Sequence, residues 1–271
     1  TTVRKLYLFA TAITDAGWAN RKGMPLEQLV LIKTKITDEG LASLIGMPLR
    51  QLNLSETAIT DAGMAYLAGM PLQELGLYKT AITDGGLVYL RGMSLNKIVL
   101  DGEKITDAGL ACLAGMPLQY LHLETTGITD AGMAYLAGMP LRSLDLLDAK
   151  VTDVGMVYLK GMPLEKLDLM GTKITDAGLV QLKGMPLQKL ILNHTKITDM
   201  ALENIRDLSL RHLSLWGTKV TDAGLVHLAK MPLQELELVL CGNVTDAAAE
   251  KLEKEKPGIK IRKSHGMFEF G

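Results

Sequence analysis

The sequence predicts an α/β solenoid, in which every repeated unit contributes one short strand and one short helix. The first observation is a sequence repeat of fixed length. Residues 3–232 divide into ten units of 23 residues, and a longer eleventh unit runs from Leu233 to Pro257. The second is a hydrophobic pattern that changes within each unit from alternation to a three-residue spacing. The third is that all nine prolines close a unit, with Ser94 and Ser209 at the two positions where proline is missing.

Residues 164–186 show why each unit is expected to begin with a strand. Leu167 and Leu169 alternate with Asp168 and Met170. A period of two places the leucines on one face of a short strand and the other two side chains on the opposite face. Parallel strands from successive units then form one sheet, whose outward face carries the residues between the leucines.

The second half of the same unit predicts a short helix. Leu179 and Leu182 are three residues apart and fit one helix face. Thr175 and Asp176 stand just before it, where side-chain oxygens cap exposed N–H groups and negative charge meets the positive helix end. The Thr-Asp pair recurs in all eleven units, so we interpret it as structural rather than catalytic. Gly184 is expected to end the helix in a left-handed conformation.

The pattern Leu-x-x-Leu-x-Leu-x-x-Thr-x-Ile resembles the leucine-rich repeat over residues 3–257. The Ile-Thr-Asp-x-Gly-Leu segment is similar to the cysteine-containing subclass of F-box proteins, and the shorter units are similar to repeats of bacterial leucine-rich proteins. The resemblance implies a right-handed horseshoe of about eleven repeats, with a parallel sheet on the concave side and short helices on the convex side.

Threonine takes the position that this family usually gives to Asn or Cys, and Cys241 takes it in the last unit. A polar atom there is expected to hydrogen-bond loop backbone of the neighbouring unit. The threonines at this position are Thr11, Thr34, Thr57, Thr80, Thr126, Thr172, Thr195 and Thr218.

The predicted domains are a leucine-rich-repeat solenoid over residues 1–257 and a C-terminal cap strand and tail over residues 258–271. A helix around residues 247–255 is expected to precede the cap strand, and Phe268 and Phe270 lie in the tail. The N-terminal edge strand has no recognisable cap, so we expect further sequence before Thr1.

Composition excludes several functional classes. The 29 Lys and Arg residues balance 30 Asp and Glu residues, and a net charge of −1 argues against nucleic acid as a partner. No apolar run is long enough to span a bilayer. Two cysteines, Cys112 and Cys241, make no disulfide framework. A cytoplasmic location fits this composition slightly better, and a secreted or cell-surface bacterial location stays open.

Residues that differ between units are expected to carry the function, because the scaffold residues recur. The outward strand positions present large apolar side chains rimmed by charge, which is typical of an interaction site. Trp216 and Tyr78 are the expected anchors. The predicted partner-binding residues are Phe9, Ile32, Tyr78, Asp101, Tyr120, His122, Glu124, Asp145, Leu147, Asp148, Asp168, Met170, Ile191, His194, His212 and Trp216.

Acidic side chains gather on the same predicted face. Asp101, Asp145, Asp148 and Asp168 are four of the five aspartates outside the Thr-Asp pairs, and Glu124 lies among them. We interpret them as a mildly acidic patch that favours a basic partner segment. The alternative is that these charges serve solubility alone.

Two further rows of equivalent residues each have a structural interpretation and a functional alternative. Lys150, Lys173, Lys196 and Lys219 are expected to neutralise the neighbouring Asp row, or else to meet phosphates or an acidic surface. A helix-side row of tyrosines is expected to cover the convex side, or else to form a second binding surface. The tyrosines are Tyr66, Tyr89, Tyr135 and Tyr158.

The functional hypothesis is a non-enzymatic recognition module that binds a protein or peptide on its concave face, without a cofactor. His122, Glu124, Asp145 and Asp148 match no metal-ligand spacing, and the sequence has no glycine-rich phosphate loop. One alternative is the substrate-receptor arm of a ubiquitin ligase or a bacterial effector, with its other domain outside this chain. The other is a structural or surface-display array.

Overall fold

The structure is a computed structural model, and it describes residues 3–21 and 23–263. Phe268 and Phe270 lie outside the described residues. The chain forms two compact units, Thr1–Leu141 and Arg142–Gly271, called here the N-terminal and C-terminal units. Each one has the architecture of a leucine-rich-repeat solenoid, with parallel strands on one side and short helices on the other.

The N-terminal unit contains six described strands, and each pairs in parallel with its neighbour at an offset of one repeat. They are β1 (Lys5–Tyr7), β2 (Gln28–Val30), β3 (Gln51–Asn53), β4 (Glu74–Gly76), β5 (Lys97–Asp101) and β6 (Tyr120–Glu124). Its helices are α1 (Asp15–Ala19), α2 (Asp38–Leu41), α3 (Asp61–Met64), α4 (Asp84–Leu87), α5 (Asp107–Leu113) and α6 (Asp130–Met133). Four continue as 3₁₀ turns, at Ala42–Leu44, Ala65–Leu67, Val88–Leu90 and Ala134–Leu136.

The C-terminal unit repeats this arrangement with six more described strands in parallel register. They are β7 (Ser143–Asp145), β8 (Lys166–Asp168), β9 (Lys189–Ile191), β10 (His212–Ser214), β11 (Glu235–Glu237) and β12 (Lys260–Arg262). Its α-helices are α7 (Asp176–Leu179), α8 (Asp199–Ile205), α9 (Asp222–Leu225) and α10 (Asp246–Glu255). Its 3₁₀ helices are Gly155–Leu159, Val180–Leu182 and Val226–Leu228. None of the described helices combines the length and apolar character needed to cross a membrane.

The core consists of the leucines that the periodicity places inward. Leu167, Leu169, Leu179 and Leu182 are all buried, as the pattern predicts. Burial of one such side chain stabilises the fold by roughly 1.5–3 kcal/mol. Because the repeats stack, each leucine packs on the equivalent leucine of the next repeat rather than on a distant element.

The Thr-Asp pair has two roles, of which the sequence predicts only the first. Thr60 caps α3, since its Oγ1 accepts a hydrogen bond from the backbone N–H of Ala62 at 3.3 Å. The aspartate reaches forward to the next repeat, where Asp15 accepts from the backbone N–H of Thr37 at 2.9 Å and from its hydroxyl at 2.6 Å. We call this pair of hydrogen bonds the Asp–Thr clamp. The clamp fastens each helix start to the one that follows.

The same two-bond geometry recurs along both units. In the N-terminal unit it joins Asp38 to Thr60, Asp61 to Thr83, Asp84 to Thr106 and Asp107 to Thr129. In the C-terminal unit it joins Asp153 to Thr175, Asp176 to Thr198, Asp199 to Thr221 and Asp222 to Thr245.

The clamp explains the glycine of Thr-Asp-x-Gly. A Cβ atom at Gly132 would lie 2.2 Å from Oδ1 of Asp107, and one at Gly40 would lie 2.4 Å from Oδ1 of Asp15. These distances are far inside van der Waals contact. Glycine at this position therefore leaves room for the carboxylate of the preceding repeat, whereas Ala201 holds the equivalent position beside an intact clamp from Asp176 to Thr198.

The expectation that the recurring threonines bond the neighbouring repeat is wrong. Thr34 donates its hydroxyl hydrogen to the carbonyl of Leu31 at 2.7 Å, and Thr172 donates to Leu169 at 2.6 Å. A short β-branched side chain reaches only the carbonyl three residues earlier, so it closes a turn within its own repeat. Cys241 does reach back, with Sγ 3.0 Å from the carbonyl oxygen of Leu215.

Candidate functional site

The outward sheet face is the side of the strands whose residues alternate with the buried leucines. Strand register aligns one residue per repeat into a straight row, about 4.8 Å apart. In the N-terminal unit this row is Tyr7, Val30, Asn53, Gly76, Val99 and His122. In the C-terminal unit it is Asp145, Asp168, Ile191, Ser214, Glu237 and Arg262. The predicted partner-binding residues lie in or beside these rows.

The apolar side chains of this face are less exposed than the sequence suggests. Phe9 is 63% exposed and Tyr120 is 44% exposed. The other predicted apolar members are half-buried. They are Ile32, Tyr78, Leu147, Met170, Ile191 and Trp216. A partner would meet their edges rather than protruding groups.

Two carboxylates meet on the N-terminal unit. Asp101 and Glu124 are directly paired on β5 and β6. Asp101 Oδ1 accepts a hydrogen bond of 2.6 Å from the backbone N–H of Lys79. Burial raises the pKa of Asp101, and the charge of Glu124 raises it further, against the opposing effect of the Lys79 N–H. Glu124 lies 3.3 Å from Nε2 of His122. Asp101 and Glu124 together form an acidic pair on the outward sheet face.

Tyr78 and Lys79 border that carboxylate pair. The ammonium nitrogen of Lys79 lies 4.9 Å from the centre of the Tyr78 ring. A hydrogen bond that the Lys79 ammonium donates to the Tyr78 side chain raises the pKa of Lys79. The border of the acidic pair is thus aromatic and cationic, and a basic partner segment would have to approach from the side of Glu124.

The acidic residues of the C-terminal unit are partly engaged. Oδ1 of Asp145 accepts from the backbone N–H of Leu147 at 3.0 Å, and Oδ1 of Asp168 accepts from Met170 at 2.9 Å. Each carboxylate therefore ends its own strand with a side-chain turn. A shallow depression here is lined by two aspartates and two lysines, with uncharged side chains between them. The charged residues are Asp145, Lys166, Asp168 and Lys189, and Ser143 and Ile191 are among the uncharged ones. The predicted acidic patch is consequently mixed in charge on this unit.

A polar network that the sequence analysis missed lies beside Trp216. The side-chain oxygen of Asn193 accepts from the backbone N–H of Trp216 at 2.9 Å and from the hydroxyl of Ser214 at 2.7 Å. Oε2 of Glu237 is also 2.7 Å from the Ser214 oxygen. Asn193, Ser214 and Glu237 occupy adjacent outward positions of successive repeats, which is the sequence signal that points to them. The network positions the backbone that carries Trp216.

One histidine, His194, packs against the same tryptophan, and a second, His212, pairs with a carboxylate. The ring of His194 lies 5.0 Å from that of Trp216, centre to centre. A Cβ atom at Gly217 would be 2.6 Å from Nδ1 of His194, so glycine makes this contact possible. His212 is 3.0 Å from Oε2 of Glu235 and lowers the pKa of that carboxyl group.

A left-handed residue follows the outward strand positions in every repeat, and the sequence did not reveal it. Gly102, Gly171 and Gly217 take this conformation without strain, but eight non-glycine residues occupy it with φ from 52° to 56°. They are Ala10, Lys33, Glu56, Lys79, Thr125, Asp148, His194 and Leu240. Asp148 and His194, both predicted binding residues, therefore point from a tight turn and not from a strand.

Of the residues weighed as metal ligands, His122 and Glu124 are in contact on the N-terminal unit. Within residues 3–21 and 23–263, no group of three or more His, Cys, Asp or Glu side chains is arranged to hold a metal ion. Cys112 and Cys241 are buried free thiols.

Comparisons with known proteins agree with this architecture. A family model described as Leucine Rich repeat matches residues 47–68 and 162–183. None of the curated proteins compared with this chain matches it. Similar solved structures include an internalin from Listeria monocytogenes, at 21% identity and TM-score 0.54, covering 85% of this chain and 86% of that one.

Two other similar structures were solved as complexes. A chain of the yeast Rad7 and Elc1 complex is 19% identical with a TM-score of 0.54, covering 95% of this chain and 82% of that one. A chain of the complex of TLR13 with single-stranded RNA is 18% identical with a TM-score of 0.54, covering 90% of this chain and 35% of that one. At these identities the likeness establishes the fold alone. The chain therefore has the leucine-rich-repeat fold, and the family model matches two of its repeats.

Proposed function

We propose that this leucine-rich-repeat protein is a non-enzymatic recognition module, which binds a protein or peptide on the outward sheet face. The observation that carries the proposal is the contrast between the two faces of each strand. The inward positions are leucine or isoleucine in every repeat, whereas the aligned outward positions change from repeat to repeat. A scaffold that holds unlike side chains in straight rows is suited to reading an extended partner.

Two features indicate how such a partner would be held. On the C-terminal unit, Trp216 has a backbone held by Asn193 and a ring packed by His194, which makes it an anchor of low conformational entropy. On the N-terminal unit, the Asp101 and Glu124 pair favours a basic group. The proposed partner therefore has an apolar group for the first feature and a Lys or Arg for the second.

The solved relatives support a binding role and leave the class of partner open. The Rad7 and Elc1 structure is a complex of two proteins, and the TLR13 structure contains single-stranded RNA. For the present chain, a net charge of −1 and the mixed charges of the outward face favour protein over nucleic acid.

The test is affinity capture from the source organism, with mass-spectrometric identification and then titration of the purified partner. We expect Trp216→Ala to weaken binding by about 2 kcal/mol, as for an aromatic hot spot. The double variant Asp101→Asn with Glu124→Gln removes charge while keeping hydrogen-bond acceptors, and it should weaken binding of a basic partner, most clearly at low salt.

The matched control is Ala137→Lys, on the helix side. The equivalent position of the next repeat is the exposed Lys160, so the scaffold accepts lysine there. Equal binding by wild type and by all the outward-face variants, with the folds intact, would show that the partner binds elsewhere. A captured nucleic acid whose binding these variants weaken would keep the site but change the class of partner.

A further inference from the structure

The helix side of the C-terminal unit exposes aliphatic side chains to a degree that its outward sheet face does not. Val154, Val157, Val180, Met200 and Val226 are between 47% and 65% exposed. The apolar residues predicted for the outward face of the same unit are all half-buried. Apart from Leu240, which is 61% exposed in the turn after its strand, the most exposed aliphatic side chains of this unit therefore lie opposite the face considered above.

These side chains belong to a regular grid, called here the aliphatic grid. The first row is the residue that follows the aspartate of the Thr-Asp pair, and the second row is the residue three positions later. Both rows therefore project from the same helix face. The first row is Val154, Ala177, Met200 and Ala223, and the second row is Val157, Val180, Glu203 and Val226. Glu203 is the one charged member, and it lies 3.7 Å from Arg206 of its own repeat.

The fold does not require large aliphatic side chains at these positions. The second-row equivalents in the N-terminal unit are alanines, at Ala42, Ala65, Ala111 and Ala134, with Val88 as the exception. That unit forms the same helices and buries the same leucines. Alanine also favours a helix more than valine does. Exposed valines on the C-terminal unit thus cost some helical stability.

Basic residues border the grid on both sides. At the ends of the helical turns stand Lys160, Lys183, Arg206 and Lys230, and all four are exposed. Across the residues that the structure describes, no ion pair involves Lys160, Lys183 or Lys230. On the other side stand the exposed Lys150, Lys173, Lys196 and Lys219.

The nearest aspartates do not cancel this charge by pairing with the lysines. Asp153, Asp176, Asp199 and Asp222 each direct both carboxylate oxygens to the threonine of the next repeat through the Asp–Thr clamp. The helix side therefore presents an apolar strip between two lysine-rich rows, with the exposed Asp207 beside it, 4.0 Å from Arg206. Open depressions between successive helices expose Val180 and Met200 in one and Val226 in the next, and Asp207 lines both.

We propose that the aliphatic grid is a second docking surface, which binds an acidic amphipathic protein segment. Aliphatic side chains of that segment would cover the grid, and Asp or Glu side chains along its borders would meet the lysine rows. A protein segment fits better than a lipid surface, since membrane-binding faces present Trp, Phe and Leu, whereas this strip presents Val and Met. This surface is separate from the outward sheet face, so this proposal does not depend on the proposed function.

The experiment uses the full chain and two labelled synthetic peptides of about 18 residues. Both carry Leu at i, i+3, i+4 and i+7 spacing, and the remaining positions are mainly Glu in one peptide and mainly Lys in the other. Fluorescence anisotropy should detect binding of the Glu peptide, with an affinity that falls as salt is raised. The Lys peptide should bind at least about tenfold more weakly.

Two variants locate the site. The triple variant Val157→Ala, Val180→Ala and Val226→Ala gives the second row the residues found in the N-terminal unit, so it is expected to fold. It should bind the Glu peptide about tenfold or more weakly, because each truncation removes apolar contact. The triple variant Lys160→Glu, Lys183→Glu and Lys230→Glu should also lose at least about tenfold in affinity. Val88→Ala and Trp216→Ala are the controls, and both should bind as wild type does.

Equal binding of the two peptides, or wild-type affinity in both triple variants with native circular dichroism, would overturn the proposal. Vesicles of phosphatidylserine and phosphatidylcholine provide the remaining arm. If the chain bound these vesicles through the same valines and lysines but did not bind the Glu peptide, the surface would be a lipid-binding one and the acidic-segment proposal would be wrong.

Discussion

At the scale of single residues, the aspartate of the Thr-Asp pair shows how a local motif acquires a partner in the next repeat. Its sequence context, just before a helix, suggests a cap. The structure gives the cap to the threonine and gives the aspartate a two-bond contact one repeat further on. A carboxylate that accepts two hydrogen bonds at a half-buried position contributes directly to the stacking of repeats.

The clamp predicts a large effect of Asp107→Ala. This change leaves the backbone N–H of Thr129 without its acceptor and removes the bond to the Thr129 hydroxyl. We expect a loss of about 2–3 kcal/mol in the free energy of unfolding, measured by urea denaturation. Asp107→Asn keeps one acceptor oxygen and should lose less. If the two variants proved equally stable, the clamp would not be the source of the stability.

Removing the charge of Asp101 is expected to stabilise the fold, in contrast to the loss expected at Asp107. Its pKa is raised above 3.8, mainly by burial, so its ionised form destabilises the folded state. That penalty is complete above the folded-state pKa, declines as the pH falls through it, and is absent once the pH is below 3.8.

Asp101→Asn should therefore raise the urea midpoint near neutral pH, since its amide oxygen still accepts from the Lys79 N–H. The difference from wild type should shrink to nothing by about pH 3. Urea titrations of both proteins across this range provide the measurement. A variant that is less stable than wild type at neutral pH would contradict the inferred penalty.

At the scale of the element, one motif position has opposite requirements in different repeats. Gly17 and Gly132 both follow the sequence Thr-Asp-Ala near the start of a helix. A Cβ atom at Gly132 would collide with Asp107, whereas at Gly17 the nearest atom outside its own helix backbone is 3.5 Å away. The difference is whether an aspartate of another repeat fills the space beside the glycine.

Gly132→Ala should destabilise the fold by about 1–3 kcal/mol, because the new Cβ would lie 2.2 Å from Oδ1 of Asp107 and this carboxylate must shift. Gly17→Ala should instead stabilise it by up to about 1 kcal/mol, which is the ordinary helix preference of alanine over glycine. Thermal unfolding of the two variants against wild type measures both effects. Equal shifts of the same sign would show that the clamp does not decide this position.

At the scale of the whole molecule, stability is distributed along a row of like repeats, each supported mainly by its neighbours. The first and last described strands, β1 and β12, are the least buried. Leu6 of β1 is half-buried, while Leu29 of β2 is fully buried at the equivalent position. Local opening therefore costs least at these strands.

Native-state hydrogen exchange should resolve this gradient. We expect the β1 and β12 amides to exchange faster than those of β3 and β9, which lie inside their respective units. The measurement is mass spectrometry of peptides covering each strand. Uniform protection over all strands would indicate that each unit opens as a whole and not from an end.

Much of the fold follows from sequence because its causes are local. The alternation of apolar and polar residues around Leu167 and Leu169 predicts a strand and its inward face. The three-residue spacing of Leu179 and Leu182 predicts a short helix. Threonine before the helix decides the cap. Identical spacing in each repeat then aligns the strands, so the outward rows follow with correct membership. The identity of a binding partner has no such local cause, and the predicted binding residues stay a prediction.

What the sequence by itself determined is thus the repeat, its strand and helix, and the division of inward from outward residues. Only the tertiary structure decided that the aspartates clamp the following threonine, that Trp216 and Tyr78 are half-buried, and that the helix side of the C-terminal unit exposes a group of aliphatic residues. The physical reason is that periodicity reports the direction of a side chain, whereas partners and exposure depend on atoms that neighbouring repeats place around it.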